Sequence, residues 1–291
     1  MNGRQVEHQG DVPPVFSCIM KNRKDGKDGL YMLHKWEGIV LKARAYGESN
    51  KIVTLLTREA GKVACMARGA KKPTSRLAGV TQPFMHGSFL VQRTSGMGTM
   101  QQGEHFNTMR TLQTDIIATA YASYIVELID RLVEEGKPEP YAFELLLQAL
   151  TAIDDGYDPE AITLFVDWKM LPYTGVQPVL HCCASCGAVE GEFAFSFTQG
   201  GSLCHNCFHL DPYIIRLSPT QLKLIRMFYS VSIDQVGKLE LKPQTKSFIK
   251  KIVTTIYEEQ TGIRLKSRSF IEQLERTPLL QKRASDKDDN V

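Results

Sequence analysis

Residues 36–57, WEGIVLKARAYGESNKIVTLLT, decide the architecture. Trp36–Ala43 and Lys51–Thr57 are rich in β-branched and apolar residues, and Tyr46-Gly47-Glu48-Ser49-Asn50 between them supplies turn chemistry. The pattern predicts a hairpin. It continues outward on the same plan. Glu59-Ala60-Gly61 is a short turn, Lys62–Arg68 a third strand, Phe84–Arg93 a fourth and Met97–Gln102 a fifth, with Gly96 and Gly98 at the last reversal. Five short strands with glycine-containing turns predict a small β-barrel or sandwich. The long connection Gly69–Pro83 carries Lys71, Lys72 and Arg76 with two prolines, and is expected to be a charged loop.

Beyond residue 111 the period changes from two to about four. Leu112, Ile116, Ala120, Tyr124, Leu128 and Leu132 recur at helical spacing until Gly136 and Pro138 stop them. A very apolar second helix is predicted over Tyr141–Ile153, with Asp154-Asp155 as its solvated end. A third starts with Asp158 as N-cap and Pro159 in first position. Three helices with short links predict an antiparallel bundle. Further helices are expected from Ser218-Pro219 to Tyr229 and over 244–259, with a short mixed element over 263–274. The chain therefore reads as an α+β multi-domain protein, divided into 1–31, 32–110, 111–180, 181–210, 211–275 and 276–291. The first of these segments lacks periodicity and is expected to be a disordered leader, or a stretch lying upstream of a start at Met32. The last is expected to be a disordered tail.

The net charge of +3 over 291 residues hides an asymmetry. Residues 32–110 hold twelve Lys and Arg against four Glu and no Asp, a balance of +8. Residues 111–180 hold three basic against twelve acidic residues, a balance of −9. The basic block predicts a surface for polyanions; the acidic block predicts a protein-docking surface, with apolar side chains to spare around Leu145, Leu146 and Leu147. Hydrophobic residues at 43% suffice for a buried core. No apolar run reaches the ~18 residues of a membrane span, and the N-terminus has no apolar signal region.

Five of the seven cysteines fall between 182 and 207. Cys183-x2-Cys186 and Cys204-x2-Cys207 are two matched pairs, which is the spacing of a structural zinc site. Each short pair supplies two corners of a tetrahedron. Gly187 after the first pair is expected to adopt a positive φ and to aim backbone N–H groups at sulfur, and alternating Phe193, Phe195 and Phe197 predict a hairpin between the pairs. Cys182, His181, His205 and His209 are read as surface or packing residues. One structural Zn2+ with four thiolates leaves no open position for catalysis. The clustering fits a reducing cytoplasmic compartment.

The sequence contains no P-loop, no G-x-S-x-G and no H-E-x-x-H, and the chain is read as a non-enzyme. Taken together, Trp36–Leu41, Tyr46–Ser49, Leu55–Lys62, Ala67–Arg76, Gln82-Pro83-Phe84 and the cysteine pairs resemble the RecO family of bacterial recombination mediators. The resemblance runs from Met32 to about residue 275. It implies an N-terminal OB-fold, a helical domain and an inserted zinc finger. It also implies binding to single- and double-stranded DNA, strand annealing, and assistance to RecA loading on DNA coated by single-strand-binding protein. The partners it implies are RecR and the C-terminal tail of that coating protein, with RecA reached indirectly, in the cytoplasm at the nucleoid and away from membranes. Some members of the family lack a full thiolate set; this chain has one.

A nucleic-acid groove on such strands combines cations along the backbone with planar side chains for stacking. The cations here are Lys42, Arg44, Lys51, Arg58, Lys62, Arg68, Lys71, Lys72 and Arg76, and Tyr46 is the stacking candidate; Trp36 and Phe84 are assigned to the core. The loop after the third strand is expected to be the main electrostatic contact. Two other classes fit the composition: a zinc-stapled protein–protein adaptor and an RNA-binding OB-fold protein.

Overall fold

Side chains of a strand alternate between two faces, and the run Ile39-Val40-Leu41 is apolar on both. In the computed structural model, which describes residues 17–21, 30–231, 233 and 241–277, both faces are buried. The strands are β1 (Ser17–Lys21), β2 (Leu30–Tyr46), β3 (Asn50–Thr57), β4 (Gly61–Ala67), β5 (His86–Arg93) and β6 (Gly98–Asn107). The pairings run from β2 through β3, β4, β6 and β5 and return to β2, which makes an OB-like sheet of five strands. All are antiparallel except β4 with β6. Trp36, Val40, Leu55, Val63, Phe89 and Val91 fill the inside of the sheet. Ile39, Leu41, Leu56 and Phe84 belong instead to the core of the helices.

Two sequence expectations change here. Ser17–Lys21 is a strand, paired antiparallel with Leu30–His34, so this part of the leader is not irregular. Cys18-Ile19-Met20 is a short apolar run, and it lies along a stretch of β2 whose other edge is taken by β5. The rest of residues 1–29 and everything from 278 on lie outside the described residues. The connection Gly69–Pro83 is also not all loop: Arg76–Val80 is a short helix, α1, whose start is capped by the Ser75 hydroxyl. Leu77 and Val80 of α1 are buried against the inside of the sheet, which is why this segment closes up into a turn of helix.

The helices that follow are α2 (Arg110–Thr114), α3 (Ile116–Leu132), α4 (Pro140–Asp154), α5 (Pro159–Met170), α6 (Pro219–Ser230), α7 (Pro243–Thr255) and α8 (Lys266–Glu275). Asp158 caps α5 through its carboxylate, as expected, and Asp115 does the same for α3, which separates it from the short α2 before it. Asp154 is not a solvated end: its carboxylate accepts the backbone N–H of Thr111 and of Leu112, at 2.8 and 3.3 Å, and so caps α2 from a distance in sequence. Leu145 and Leu146 are fully packed and Leu147 is half-buried against the same core, so the expected surplus of apolar side chains is absent. Helices from both sides of the cysteine segment share this core.

The seam between sheet and helices uses three of the cations that the sequence set apart. Arg58 bonds Glu37 at 2.9 Å, reaches Glu144 of α4 and lies over the Phe143 ring, 4.7 Å from its centre. Lys42 and Lys62 both converge on Asp130 of α3. His86 bonds the other oxygen of Glu37 at 2.9 Å. Burial works against ionisation of Glu37, but Arg58 and His86 outweigh it and hold the carboxyl below its ordinary value. On the far side, Lys246 of α7 sits between Asp158 and Glu160, 2.9 Å from each. Within the acidic block, Glu127, Asp130, Glu139, Glu144, Asp158 and Glu160 thus meet cations inside the molecule.

The turn between β3 and β4 meets the link between α3 and α4 at close range. Gly136 N–H donates to the Lys62 carbonyl at 2.8 Å. Gly61 has φ +66°, and a Cβ there would lie 1.9 Å from the carbonyl oxygen of Lys137. Gly61→Ala therefore combines a left-handed backbone with a clash against backbone atoms. It is expected to lower stability by at least ~2 kcal/mol. Urea unfolding checks this; a loss below ~0.5 kcal/mol would show that the seam can shift to accommodate a methyl group.

Candidate nucleic-acid interface and metal centre

The β2–β3 turn, Gly47–Ser49, and the segment after β4 are tied together by backbone and side-chain bonds. Ser49 carbonyl accepts the Lys71 N–H at 2.9 Å, and the Asn50 side-chain oxygen accepts the Gly69 N–H at 2.9 Å. The Lys71 ammonium reaches the Gly47 carbonyl at 3.2 Å. Lys51 extends to the Thr81 hydroxyl at 3.3 Å, and that hydroxyl donates to the Leu77 carbonyl at 2.7 Å. The basic segment is pinned at one end by Asn50 and at the other by the buried residues of α1.

The ten candidates divide into two groups. Arg44, Tyr46, Arg68, Lys71, Lys72 and Arg76 are exposed at this end of the sheet, with Lys51 half-buried beside them. Tyr46 is 54% exposed, which leaves a ring face open for stacking. Lys42, Arg58 and Lys62 are elsewhere, in the seam, where carboxylates already face them. Trp36 and Phe84 are core residues, at 4% and 6% exposure. Glu48 is the acidic residue of the turn and is exposed. Sequence reasoning missed Asn50 and Thr81, which carry no charge. The signal for Asn50 was its place at the end of a Gly-Glu-Ser turn, where a side-chain amide commonly bonds nearby backbone.

The four cysteines come together as their spacing predicts. The sulfur atoms of Cys183, Cys186, Cys204 and Cys207 all lie within 4.8 Å of one another. Cys186 and Cys204 sulfurs are 3.6 Å apart, close to the edge of about 3.8 Å that ~2.3 Å bonds give a tetrahedron. Between the pairs, β7 (Phe193–Ser196) and β8 (Gly201–Cys204) form the expected antiparallel hairpin, and β9 (Ile215–Arg216) adds to it. Gly187 has φ +77° and its N–H closes the first turn onto the Cys183 carbonyl at 2.9 Å. Burial opposes ionisation of Cys183, but N–H groups of Cys186, Cys204 and Ser185 aim at its sulfur and bring the thiol down to about 6. Burial pushes Cys207 up to about 12. A divalent soft cation resolves the crowding of four sulfurs, and the geometry fits one. Cys182, His181, His205 and His209 stand outside this group.

The module is bound to the helical core rather than hung from it. Phe193, Phe195, Leu203, Cys204 and Cys207 all belong to that core. Arg226 of α6 donates from Nε to the Leu180 carbonyl at 2.6 Å and lies over the Phe193 ring. The hydroxyl of Ser196 donates to Asp211 at 2.6 Å, and this bond and the Tyr213 N–H hold the Asp211 carboxyl below its ordinary value.

Comparison with known proteins agrees with this layout. A family model described as recombination protein O N terminal matches residues 32–109, and one described as recombination protein O C terminal matches residues 113–269. The chain belongs to the RecO family. It is 51% identical over 244 residues to the DNA repair protein RecO of Bacillus velezensis, covering 84% of this chain and 96% of that protein. It is 50% identical over 244 residues to the RecO of Bacillus subtilis, with the same coverage, and 44% identical over 254 residues to that of Listeria monocytogenes, covering 87% of this chain and all of the relative. Membership assigns the chain a role in DNA repair and recombination. No helix among the described residues is long and apolar enough to cross a membrane.

Removal of the cysteine that stands outside the cluster separates ligand from bystander. Cys182→Ser is expected to retain the metal content of the parent protein in elemental analysis, whereas Cys183→Ser and Cys207→Ser lose most of it. Metal loss with Cys182→Ser alone would reassign the first pair.

Proposed function

We propose that the chain is a non-catalytic mediator of DNA recombination that binds single- and double-stranded DNA through the basic end of its OB-like sheet. On this reading it anneals complementary strands and, together with RecR, assists the loading of RecA onto DNA coated by single-strand-binding protein, whose C-terminal tail it contacts. The observation that carries the reading is the pinned segment after β4. Lys71, Lys72 and Arg76 are exposed beside Arg44, Arg68 and Tyr46, and the backbone that presents them is already fixed. Cations on an ordered backbone lose less entropy when they meet a phosphate chain. The seven residues offered for DNA are then Arg44, Tyr46, Lys51, Arg68, Lys71, Lys72 and Arg76. Lys42, Arg58 and Lys62 are withdrawn from the direct contact because they hold the seam.

The metal we assign to Cys183, Cys186, Cys204 and Cys207 is one Zn2+, since four sulfur donors at tetrahedral spacing suit it. Its part is structural: it fixes the hairpin that packs on the helices. The cellular setting that fits this activity and the free thiols is the cytoplasm, at the nucleoid.

Charge reversal tests the reading. Lys71→Glu with Lys72→Glu is expected to weaken oligo-dT binding and to lower the magnitude of the log-affinity against log-salt slope by roughly one to two units, at ~0.7 per single-strand phosphate. Metal content and thermal midpoint stay unchanged. The double variant is also expected to slow annealing of complementary strands coated with single-strand-binding protein, in the presence of RecR. An unaltered slope in the folded variant would overturn the assignment, and equal affinity for matched RNA would favour an RNA-binding role.

A further inference from the structure

A cleft of about 470 Å3 runs between β2 and the helices, beside the basic end of the sheet. Its apolar lining includes Leu41, Pro83, Phe84 and Val126. Its basic lining is Lys42 and Arg44 from β2, Arg131 from the end of α3 and Lys266 from the start of α8. One carboxylate, Glu127, lines the cleft and a second, Asp130, stands nearby, and each is engaged. Asp130 takes Lys42 and Lys62. Glu127 accepts the backbone N–H of Lys266 at 3.1 Å and of Ser267 at 2.9 Å, and these donors hold it below its ordinary value against the effect of burial. Arg131 lies 3.9 Å from Glu127 and is 46% exposed. Among the described residues, no carboxylate lies within ion-pair distance of Arg44 or Lys266.

This arrangement has the chemistry of an unpaired nucleotide, with apolar contact for a base and cations above it for a phosphate. It is also continuous with the proposed DNA surface. Arg44 lines the cleft, and Tyr46, two residues on, lies on the same face of β2 because side chains alternate along a strand. The cleft opens between β2 on one side and α3 and the start of α8 on the other, and unpaired bases, which a duplex keeps stacked inside, are free to turn into it. The acidic balance of residues 111–180 concealed this, since Arg131 is one of only three basic residues there.

We propose that the cleft is a second subsite for single-stranded DNA, which takes the strand from the Tyr46 end of the sheet across to Arg131 and Lys266. The proposal rests on the DNA-binding reading above and names the path of the strand within it. Arg131 and Lys266 then contribute to single-strand affinity, although both lie outside the OB-like sheet.

The test uses the full chain with Arg131→Gln and Lys266→Gln combined, a change that removes the charge and keeps a polar side chain, and a parallel pair of Glu substitutions. Binding is read with oligo-dT across salt concentrations and with a blunt duplex of matched charge. The Gln pair is expected to reduce the oligo-dT salt slope by about 0.7–1.4 units. Duplex binding, metal content and thermal midpoint are expected to be unchanged. A photoreactive thymine in the oligonucleotide is expected to crosslink to peptides containing Pro83-Phe84 or Ser123–Arg131. If charge reversal at Lys71 and Lys72 lowers the slope while the Arg131 and Lys266 pair leaves it unaltered, the cleft is overturned and the DNA-binding reading stands. Equal losses for single strand and duplex would also overturn the cleft as a single-strand subsite. If neither pair affects binding, both readings fall together.

Discussion

The architecture depends on β2 being buried on both faces. Its inner side chains, Trp36 and Val40, close the sheet, and its outer ones, Ile39 and Leu41, enter the helical core together with Leu56 and Phe84. Each such side chain stabilises the joint by on the order of 1.5–3 kcal/mol. The ion pairs of the seam involve groups about a third exposed, such as Arg58 and Lys42, and pairs of that kind contribute roughly 0–1 kcal/mol. Apolar contact therefore holds the two parts together. The ion pairs set the register in which they meet, because a carboxylate left without its cation at Asp130 or Glu37 would carry a desolvation cost that a slipped joint could not offset.

This division explains what the charge pattern could and could not tell. A balance of +8 followed by −9 describes two blocks with complementary fields, and the simplest use of such fields is on each other. Lys42, Arg58 and Lys62 look identical in sequence to Lys51, Arg68 and Lys71. What separates them is whether a carboxylate from 127–160 stands opposite, and that is a property of docking which neither block shows alone. The strands were legible because period-two alternation and glycine turns are local. Helix α1 was not, because Leu77 and Val80 become helical only by finding the inside of the sheet. Asp154 misled for the same reason: its cap is offered to α2, more than forty residues away in sequence. The strand at Ser17–Lys21 was lost in a leader whose overall composition is polar.

The cysteine module was the most legible part of the site. Its geometry is set by short-range spacing, and two matched pairs leave few alternatives. What spacing could not give is the anchoring. Phe193 and Phe195, on one face of the hairpin, belong to the core of the helices, and Arg226 covers Phe193 from α6. A metal held at the four sulfurs would therefore order more than its own loop, since the hairpin between the pairs belongs to the core that helices on both sides of the module share.

The same logic accounts for the placing of free cations. In the seam Lys42, Arg58 and Lys62 each have a carboxylate partner supplied by the fold. At the β2–β3 turn the fold supplies hydrogen bonds to the backbone instead, from Asn50 to Gly69 and from Ser49 to Lys71, and leaves the side-chain charges open. An exposed loop of this composition would otherwise sample many conformations and lose that freedom on meeting a polyanion. Fixing the backbone while freeing the cations separates the two costs, so that attraction for phosphate is not reduced by the ordering of the chain that presents it. Arg44 stands where the fixed turn meets the seam, between the open charges of the turn and Lys42, which Asp130 already holds.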